Sequence, residues 1–514
     1  MKRAAPRPVA FLAAAVALFA SAPLIAVLAS LARPFGDAIR HVAATTGAAY
    51  VFGTLQLMIA AGIFATLIGS GAALAVSLAE FPGRRIFSFA LATPLAVPAY
   101  IAAYAYGDFF GPFGAFAAMT GAGADVKSAP GAVFVLTMTL YPYVYLAARA
   151  AFAARSGAYL EAARLAGVSP LRAAIGLLAP AARPAIAGGA LLVMMEAAAD
   201  FGVADYFGVP TLSVGVFRTW NAFGDLTAAA QLASLLVLIA IILVTLETFS
   251  RRGGADDGTR GQRARARLRL GPAAASGAVF LCAAPVLLGA VIPIGVIAGK
   301  LGGAAAIRGL GEALANSVVA ASAGAALIMA AAMVIAYAAR ASKNAVLGAA
   351  LRIATLGYSV PGAVIAIGVF SAGAFVLGGA VAGATGLTAL LYAYLARFLT
   401  AGLNVVSGGL EGVAKAADAA ARMLGAGGAR LALRIHAPLM APSLVAAAII
   451  LFVDIAKELP ATLILRSFNF ETLATRVYRL AGDERLAEAA PAALALITLG
   501  LVPAIALSAL ARRR

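Results

Sequence analysis

Cysteine and histidine are nearly missing from this sequence. It contains one cysteine, Cys282, and two histidines, His41 and His436, in 514 residues. A single cysteine cannot form an intrachain disulfide or a CxxC metal site. Two histidines so far apart in sequence argue against a histidine-based metal cage. No GxxxxGKS or GxxxxGKT phosphate loop occurs either, so an ATP-driven process would need an ATPase on another polypeptide.

Charge is scarce as well. Charged residues make up 12% of the chain and apolar residues 63%, and the mean hydropathy is +0.97. Soluble domains carry about 25% charged residues, so a chain of this composition must lie largely in a membrane. Basic residues outnumber acidic ones by 39 to 21. They cluster in short segments between apolar runs, which indicates membrane topology rather than nucleic-acid binding.

Apolar windows of roughly 20 residues predict about twelve membrane-spanning helices, six in each half. The windows are 9–32, 54–80, 87–106, 131–153, 184–207, 227–248, 273–299, 313–339, 346–372, 384–408, 442–466 and 489–511. We divide the chain into a first repeat (1–250), a basic cytoplasmic linker (251–272) and a second repeat (273–514). The concentration of Lys and Arg also places both termini in the cytoplasm. Lys457 is the one basic residue that we assign to a span.

One polar segment recurs in both halves, and we name its two copies the first and second EAA segments. Residues 161–180 and 419–438 align without a gap at an offset of 258 residues. The first copy contains Glu161, Ala162, Ala163, Gly167 and Pro180, and the second contains Ala419, Ala420, Ala421, Gly425 and Pro438, with Asp418 just before it. Thr54 aligns with Ser317, and Pro98 with Pro361, at an offset of 263. Such copies predict parallel repeats related by an axis along the membrane normal.

The first EAA segment has the sequence of two helices joined by a sharp turn. Residues 157–166 are good helix formers, and Gly167 suits the left-handed residue that ends a helix. Ser169 and Pro170 can then begin the next helix. The second copy has Ala419 at the acidic position and lacks the Ser-Pro turn. Whether Asp418 takes over the role of the missing acid is open.

Five charged residues lie within or at the ends of the late spans of each half: Glu196, Asp200, Asp454, Lys457 and Glu458. An ionisable group in a membrane is costly unless it is paired or faces water, so each is a functional candidate. The acids form two pairs with a spacing of four residues, and each pair should share one helix face. Two roles stay open. The charges line a translocation path or gate, or they form ion-paired helix ends in which Lys457 neutralises one acid.

Both EAA segments fit a known pattern. Glu-Ala-Ala, three residues, Gly, nine residues and then apolar-x-apolar-Pro resembles the EAA loop of binding-protein-dependent ABC importer permeases. The runs 200–211, 217–220 and 457–478 resemble ferric-iron permeases of this type, in which two repeats are fused. The resemblance implies an all-α membrane protein with about 12 transmembrane helices. They would form two tandem six-helix repeats of the type I, MetI-like architecture.

The same resemblance implies the permease subunit of an ATP-driven importer, without cofactor, stable metal or enzymatic activity of its own. The EAA segments would be the helices on which the ATPase pushes. Expected partners are two copies of an ATP-binding subunit on the cytoplasmic face, a periplasmic binding protein that delivers Fe³⁺, and membrane lipid, but no nucleic acid. The expected location is the bacterial inner membrane. Thiamine, phosphonate and polyamines are alternative cargoes, and a secondary transporter or a membrane-embedded enzyme is an alternative class.

Overall fold

The computed structural model describes residues 7–252, 268–301, 308–341, 348, 351, 354, 357–376 and 386–512, and most of these are helical, with one pair of two-residue strands. The helices of the first half are α1 (Arg7–Ala29), α2 (Asp37–Val42), α3 (Ala48–Leu78), α4 (Arg84–Ala90), α5 (Ala99–Phe110), α6 (Ala115–Thr120), α7 (Ala129–Leu165), α8 (Pro170–Ala173), α9 (Ala179–Ala199), α10 (Gly202–Tyr206), α11 (Leu212–Phe223) and α12 (Leu226–Arg252). Those of the second half are α13 (Pro272–Val286), α14 (Ile292–Gly299), α15 (Leu310–Ala341), α16 (Gly362–Val376), α17 (Leu387–Glu411), α18 (Lys415–Met423), α19 (Gly428–Leu431), α20 (Ala437–Ala456), α21 (Pro460–Leu465), α22 (Leu473–Gly482) and α23 (Leu486–Arg512).

Shorter turns connect several of these helices. The 3-10 turns are Ser30–Ala32, Thr93–Ala96 and Gly357–Ser359, and the π-helical turns are Ala43–Gly47, Ala174–Leu178, Leu287–Val291 and Ala432–His436. The π turns Ala174–Leu178 and Ala432–His436 occupy the same place in the two EAA segments. Single π turns inside helices are frequent at functional sites. The two EAA segments therefore share an uncommon backbone feature as well as a sequence pattern.

The protein is a multi-pass membrane protein. Among the described residues, nine helices are long and apolar enough to cross a membrane: Val9–Ala32, Asp37–Leu78, Ala129–Ala154, Ala174–Ala199, Leu226–Ser250, Pro272–Gly299, Leu310–Arg340, Leu387–Glu411 and Ala432–Ala456. Nine of the predicted windows fall on these helices. The window 87–106 is a broken element, Arg84–Ala96 and Ala99–Thr120, bent by 90°. The two remaining windows, 346–372 and 489–511, overlap the shorter apolar helices Gly362–Ala374 and Leu486–Val502.

A proline causes the break before α5. Pro98 has no N–H to donate, and it forces the preceding residue, Val97, out of the helical region to φ −92° and ψ 112°. The helix α5 then begins at Ala99. Pro361 precedes the first residue of α16 in the same way. The aligned prolines of the two halves therefore mark equivalent breaks.

The two halves interlock through small residues. The helix α3 packs against α7 and α9, and α15 packs against α17 and α20. The first helix of each half crosses to the other half, because α1 packs on α15 and α16 while α13 packs on α3. Buried alanines such as Ala61, Ala65 and Ala72 line α3 and let neighbouring backbones approach closely. Packing of this kind is typical of helices that associate within a membrane.

The end of the linker joins the first half. Strand β1 (Ala79–Glu80) follows α3 directly and pairs in parallel with strand β2 (Leu268–Arg269). Residues 268 and 269 of the linker are therefore held against the end of α3. Residues 253–267 of the linker lie outside the described residues.

Two aligned hydroxyl groups make equivalent hydrogen bonds in the two halves. The Oγ1 atom of Thr54 accepts a hydrogen bond of 2.8 Å from the N–H of Leu212, at the start of α11. The Oγ atom of Ser317 accepts one of 2.7 Å from the N–H of Leu473, at the start of α22. Both hydroxyls are buried. Each one satisfies a backbone N–H group that the first turn of a helix leaves unpaired.

These hydroxyls should contribute to stability. We expect Thr54→Val and Ser317→Ala each to lower the free energy of unfolding by about 1–3 kcal/mol, because a buried N–H group is left without an acceptor. Thermal unfolding of the purified protein in detergent measures the effect. Thr66→Val is the matched control, since the Thr66 hydroxyl only donates to the carbonyl of Gly62 within α3. Equal stability of all three variants would contradict the assignment.

Candidate translocation cavity and EAA segments

The two EAA segments form the same turn. Gly167 and Gly425 have φ values of 67° and 78°, in the left-handed region that favours glycine. The N–H of Val168 donates to the carbonyl of Ala163 at 2.9 Å, and the N–H of Ala426 donates to that of Ala421 at 3.0 Å. The left-handed glycine predicted at position 167 is therefore present in both copies. The side chains of Glu161 and Ala162 lie outside the described residues.

Each turn presents apolar side chains to the surroundings, including one at the same aligned position. Leu165 is 91% exposed and Met423, the aligned residue, is 89% exposed. Both lie beyond the apolar spans, because the span within α7 ends at Ala154 and the span within α17 ends at Glu411. An exposed apolar group at the same place in both segments indicates a contact with another molecule.

Asp418 binds within its own chain. Its carboxylate accepts hydrogen bonds from Arg340 at 2.9 Å (Nε) and 3.1 Å (Nη2), and it lies 2.8 Å from Nε2 of His436. Arg340 also donates to the backbone carbonyls of Leu410 and Val413. We call Arg340, Asp418 and His436 the bracket of the second EAA segment. It fastens α18 to the ends of α15 and α20.

The bracket answers the question about Asp418. Burial alone would raise the pKa of Asp418, but the hydrogen bonds from Arg340 and His436 outweigh it and hold this pKa below its usual value. The carboxylate therefore stays ionised at neutral pH, and its stabilising effect is lost only as the pH falls through the lowered pKa. Its oxygens are committed inside the protein. The idea that Asp418 replaces the missing EAA glutamate in a partner contact is not favoured by this geometry.

Charged residues from both halves meet around one cavity of about 160 Å³, which we call the acidic cavity. Its lining includes all five predicted charged residues, Glu196, Asp200, Asp454, Lys457 and Glu458, and one further charged residue, Arg397. Residues of α7 and the broken segment before α5 complete the wall. The structure thus brings together the acids that the sequence placed 258 residues apart.

Asp200 and Glu458 cap short helices. The Oδ1 atom of Asp200 accepts hydrogen bonds from the N–H groups of Val203 and Ala204, at 2.8 and 3.3 Å. Glu458 accepts from the N–H groups of Ala461 and Thr462, at 3.0 and 2.9 Å. The prediction that each acidic pair shares one continuous helix face is wrong. The long helices α9 and α20 end before these second acids. The acids lie in the breaks and cap the following helices, α10 and α21.

The ion pairs also differ from the prediction. Lys457 pairs with Asp454 at 3.0 Å, so it does neutralise one acid, but Glu458 pairs with Arg397 at 2.7 Å. Sequence reasoning missed Arg397, although it lies inside the window 384–408, and Lys457 is therefore not the one basic residue in a span. The signal was present in the sequence as a charge within an apolar run.

Glu196 differs from the other acids of the cavity. It lines the cavity but makes no hydrogen bond or ion pair with any described residue. No three His, Cys, Asp or Glu side chains of the described chain come together in a way that could hold a metal ion.

Comparison with known proteins supports a transport role. No protein-family model matches the chain. The chain is 23% identical over 460 residues to Fe(3+)-transport system permease protein FbpB 2 of Haemophilus influenzae. The aligned region covers 88% of this chain and 87% of that protein. It is 26% identical over 272 residues to the probable ABC transporter permease protein y4fN of Sinorhizobium fredii, covering 50% of this chain and 47% of that protein.

A third relative has a different cargo in its name. The chain is 26% identical over 204 residues to the putative 2-aminoethylphosphonate transport system permease protein PhnU of Salmonella typhimurium, covering 38% of this chain and 71% of that protein. These relatives are permease proteins, which confirms the resemblance to ABC transporter permeases stated from the EAA pattern. The similarity to the first relative extends over both halves, as expected for a fused chain.

The bracket generates a prediction. Arg340→Met should lower the free energy of unfolding by about 1–3 kcal/mol, because it leaves the Asp418 carboxylate without its main donor. Thermal unfolding in detergent measures the loss. Arg422→Met is the matched control, because Arg422 is an exposed arginine of α18, the helix that contains Asp418. The double variant Arg340→Met with Asp418→Leu should recover part of the loss, and full additivity of the two changes would contradict a direct pairing.

Proposed function

We propose that the chain is the permease subunit of an ATP-driven ABC importer that carries ferric iron across the bacterial inner membrane. Its 12 transmembrane helices form two tandem six-helix repeats of the MetI-like type, 1–250 and 273–514, joined by the basic linker 251–272. Two ATP-binding subunits dock on the cytoplasmic face, where both termini lie. A periplasmic binding protein delivers Fe³⁺ to the opposite face. The recurrence of α-helices at offsets of 258 to 263 residues supports the two-repeat layout.

The duplicated EAA turn is the observation that carries this proposal. A left-handed glycine, a π turn and an exposed apolar residue occur in the same order in both segments. Two identical contact points on one face match two copies of one partner. A secondary transporter has no use for such a pair. The residues assigned to coupling are Glu161, Ala162, Ala163, Gly167 and Pro180 in the first copy, and Ala419, Ala420, Ala421, Gly425 and Pro438 in the second.

One helix connects the first contact point with the acidic cavity. Tyr143 lines the cavity and Leu165 ends the same helix α7. These residues are about 33 Å apart at a rise of 1.5 Å per residue. A push on the turn is transmitted along α7 because a hydrogen-bonded helix resists compression. Closure of the ATPase pair would in this way change the cavity between the two halves.

The charges of the cavity favour a cation as cargo. Four carboxylates and two basic groups line it, and Glu196 has no basic partner at contact distance. Ferric iron is a hard cation that prefers oxygen ligands. A phosphonate anion would meet an excess of like charge there. The name of the Haemophilus influenzae relative supports the same cargo, while the Salmonella relative keeps a phosphonate as the second candidate.

Reconstitution tests the proposal. The chain is purified with its ATP-binding subunit and placed in proteoliposomes, with iron-loaded binding protein on one side and ATP on the other. We expect radioactive iron to accumulate only when ATP is hydrolysed. Accumulation driven by an ion gradient without ATP would assign the chain to the secondary transporters. ATP-dependent uptake of 2-aminoethylphosphonate without iron uptake would reassign the cargo.

The turn glycines provide a second test. Gly167→Val and Gly425→Val should each uncouple ATP hydrolysis from uptake, because a β-branched residue is strained at positive φ. The measurement is the number of ions imported per ATP hydrolysed. Gly176→Val, in the same segment but without positive φ, is the matched control. Wild-type coupling in both turn variants would refute the assignment of the EAA segments.

A further inference from the structure

A second cavity lies next to the acidic cavity. It has a volume of about 580 Å³ and is lined by the end of α5, by residues 111–114 and 123–127 on either side of α6, and by Glu484 of the second half. We call it the loop cavity. Tyr100 lines the acidic cavity and Tyr104, one turn further along α5, lines the loop cavity. The two rings are 6.0 Å apart between centroids. One helix face therefore runs from the first cavity to the second.

The hydroxyl groups of these two tyrosines have no hydrogen-bond partner. Tyr100 is 6% exposed and Tyr104 is 2% exposed, and neither hydroxyl bonds to any described residue. An unpaired buried hydroxyl costs about 1–3 kcal/mol, so native structures rarely keep one. The hydroxyl of the buried Tyr394, by contrast, bonds to Thr462 at 2.8 Å. Packing alone would be served equally well by phenylalanine.

The second half shows that the fold does not require tyrosine here. The helix α16 follows Pro361 as α5 follows Pro98. At the offset of 263 residues, Ala363 and Ile367 stand where Tyr100 and Tyr104 stand in the first half. Both replacements are buried and have no side-chain polar group. The two hydroxyls therefore occur in the first half only, and the architecture that the halves share does not require them.

Both cavities are rich in carboxylates. The loop cavity is lined by Asp108, Asp125 and Glu484, against one basic residue, Lys127. Asp108 pairs with Lys300 at 2.8 Å, and the Lys127 ammonium group lies 4.9 Å from the centre of the Tyr206 ring. A cation moving between the cavities would leave one group of carboxylates for another. Tyr100 and Tyr104 lie on the helix face between the two cavities, and phenol oxygen is an accepted ligand of iron.

We propose that Tyr100 and Tyr104 are successive oxygen contacts that pass Fe³⁺ from the loop cavity to the acidic cavity. The inference rests on the function proposed above. Each neutral hydroxyl offers an oxygen lone pair, so no proton or electron is transferred. In this conformation the passage is narrow, because the ring of Tyr206 packs against Tyr104 at 4.7 Å between centroids. A movement of α10 relative to α5 during transport would open it.

Removal of the hydroxyls tests the inference. Tyr100→Phe and Tyr104→Phe keep the rings and break no hydrogen bond with a described residue, so thermal stability should stay at or above the wild-type level and basal ATP hydrolysis should be unchanged. Iron uptake by the complex in proteoliposomes should fall about fivefold to tenfold for each hydroxyl, as expected for the loss of one polar contact. The double variant should show the product of the two losses.

Tyr141→Phe is the matched control. Tyr141 is fully buried and its hydroxyl also lacks a partner among the described residues, but it lines neither cavity. Its variant should import iron at the wild-type rate. If the double variant of Tyr100 and Tyr104 matches it, the two hydroxyls do not contact the cargo and the inference falls while the importer stands. If the wild-type complex hydrolyses ATP but imports no iron, the proposed cargo falls and this inference with it.

Discussion

Backbone groups that face hydrocarbon need partners inside the protein, and this constraint shapes the whole chain. The long helices α9 and α20 end inside the apolar region and continue as short helices, whose first N–H groups have no helical acceptor. Side chains provide the acceptors. Asp200 and Glu458 cap the helices that follow these breaks, α10 and α21. The hydroxyls of Thr54 and Ser317 accept hydrogen bonds from the first N–H groups of the next helices, α11 and α22. Asp200 and Glu458, which the sequence marks as functional candidates, therefore have a structural role as helix caps.

This structural use divides the charges of the acidic cavity into two groups. The capping acids are tied to backbone N–H groups, and Glu458 also holds Arg397. A carboxylate with such fixed partners cannot follow a moving ion without unfolding a helix end. Glu196 and the pair of Asp454 with Lys457 have no such duty. Of the two roles left open by the sequence, structural pairing accounts for Asp200 and Glu458, and we propose the path role for Glu196.

Local features could be predicted from the sequence, and contacts between distant segments could not. The turn at Gly167, the alignment of Thr54 with Ser317 and the alignment of Pro98 with Pro361 follow from residue type and from the repeat offset. Arg397 was overlooked because its neighbours are apolar, and its partner is 61 residues away in sequence. Asp418 has the same limitation, since Arg340 is 78 residues away. Window boundaries failed where proline breaks a span, because hydropathy does not register a 90° bend.

The two halves share their backbone but differ in their charges, and a fused chain makes this possible. Thr139 stands where the second half has Arg397, Leu178 where it has His436, and Ala363 where the first half has Tyr100. Two identical subunits would place each of these groups on both sides of the axis. A second arginine would give the cavity one more buried positive charge to compensate, at a cost in desolvation. Fusion allows the second half to carry Arg397 and the bracket while the first half carries Tyr100 and Tyr104, so each group occurs on one side of the axis only.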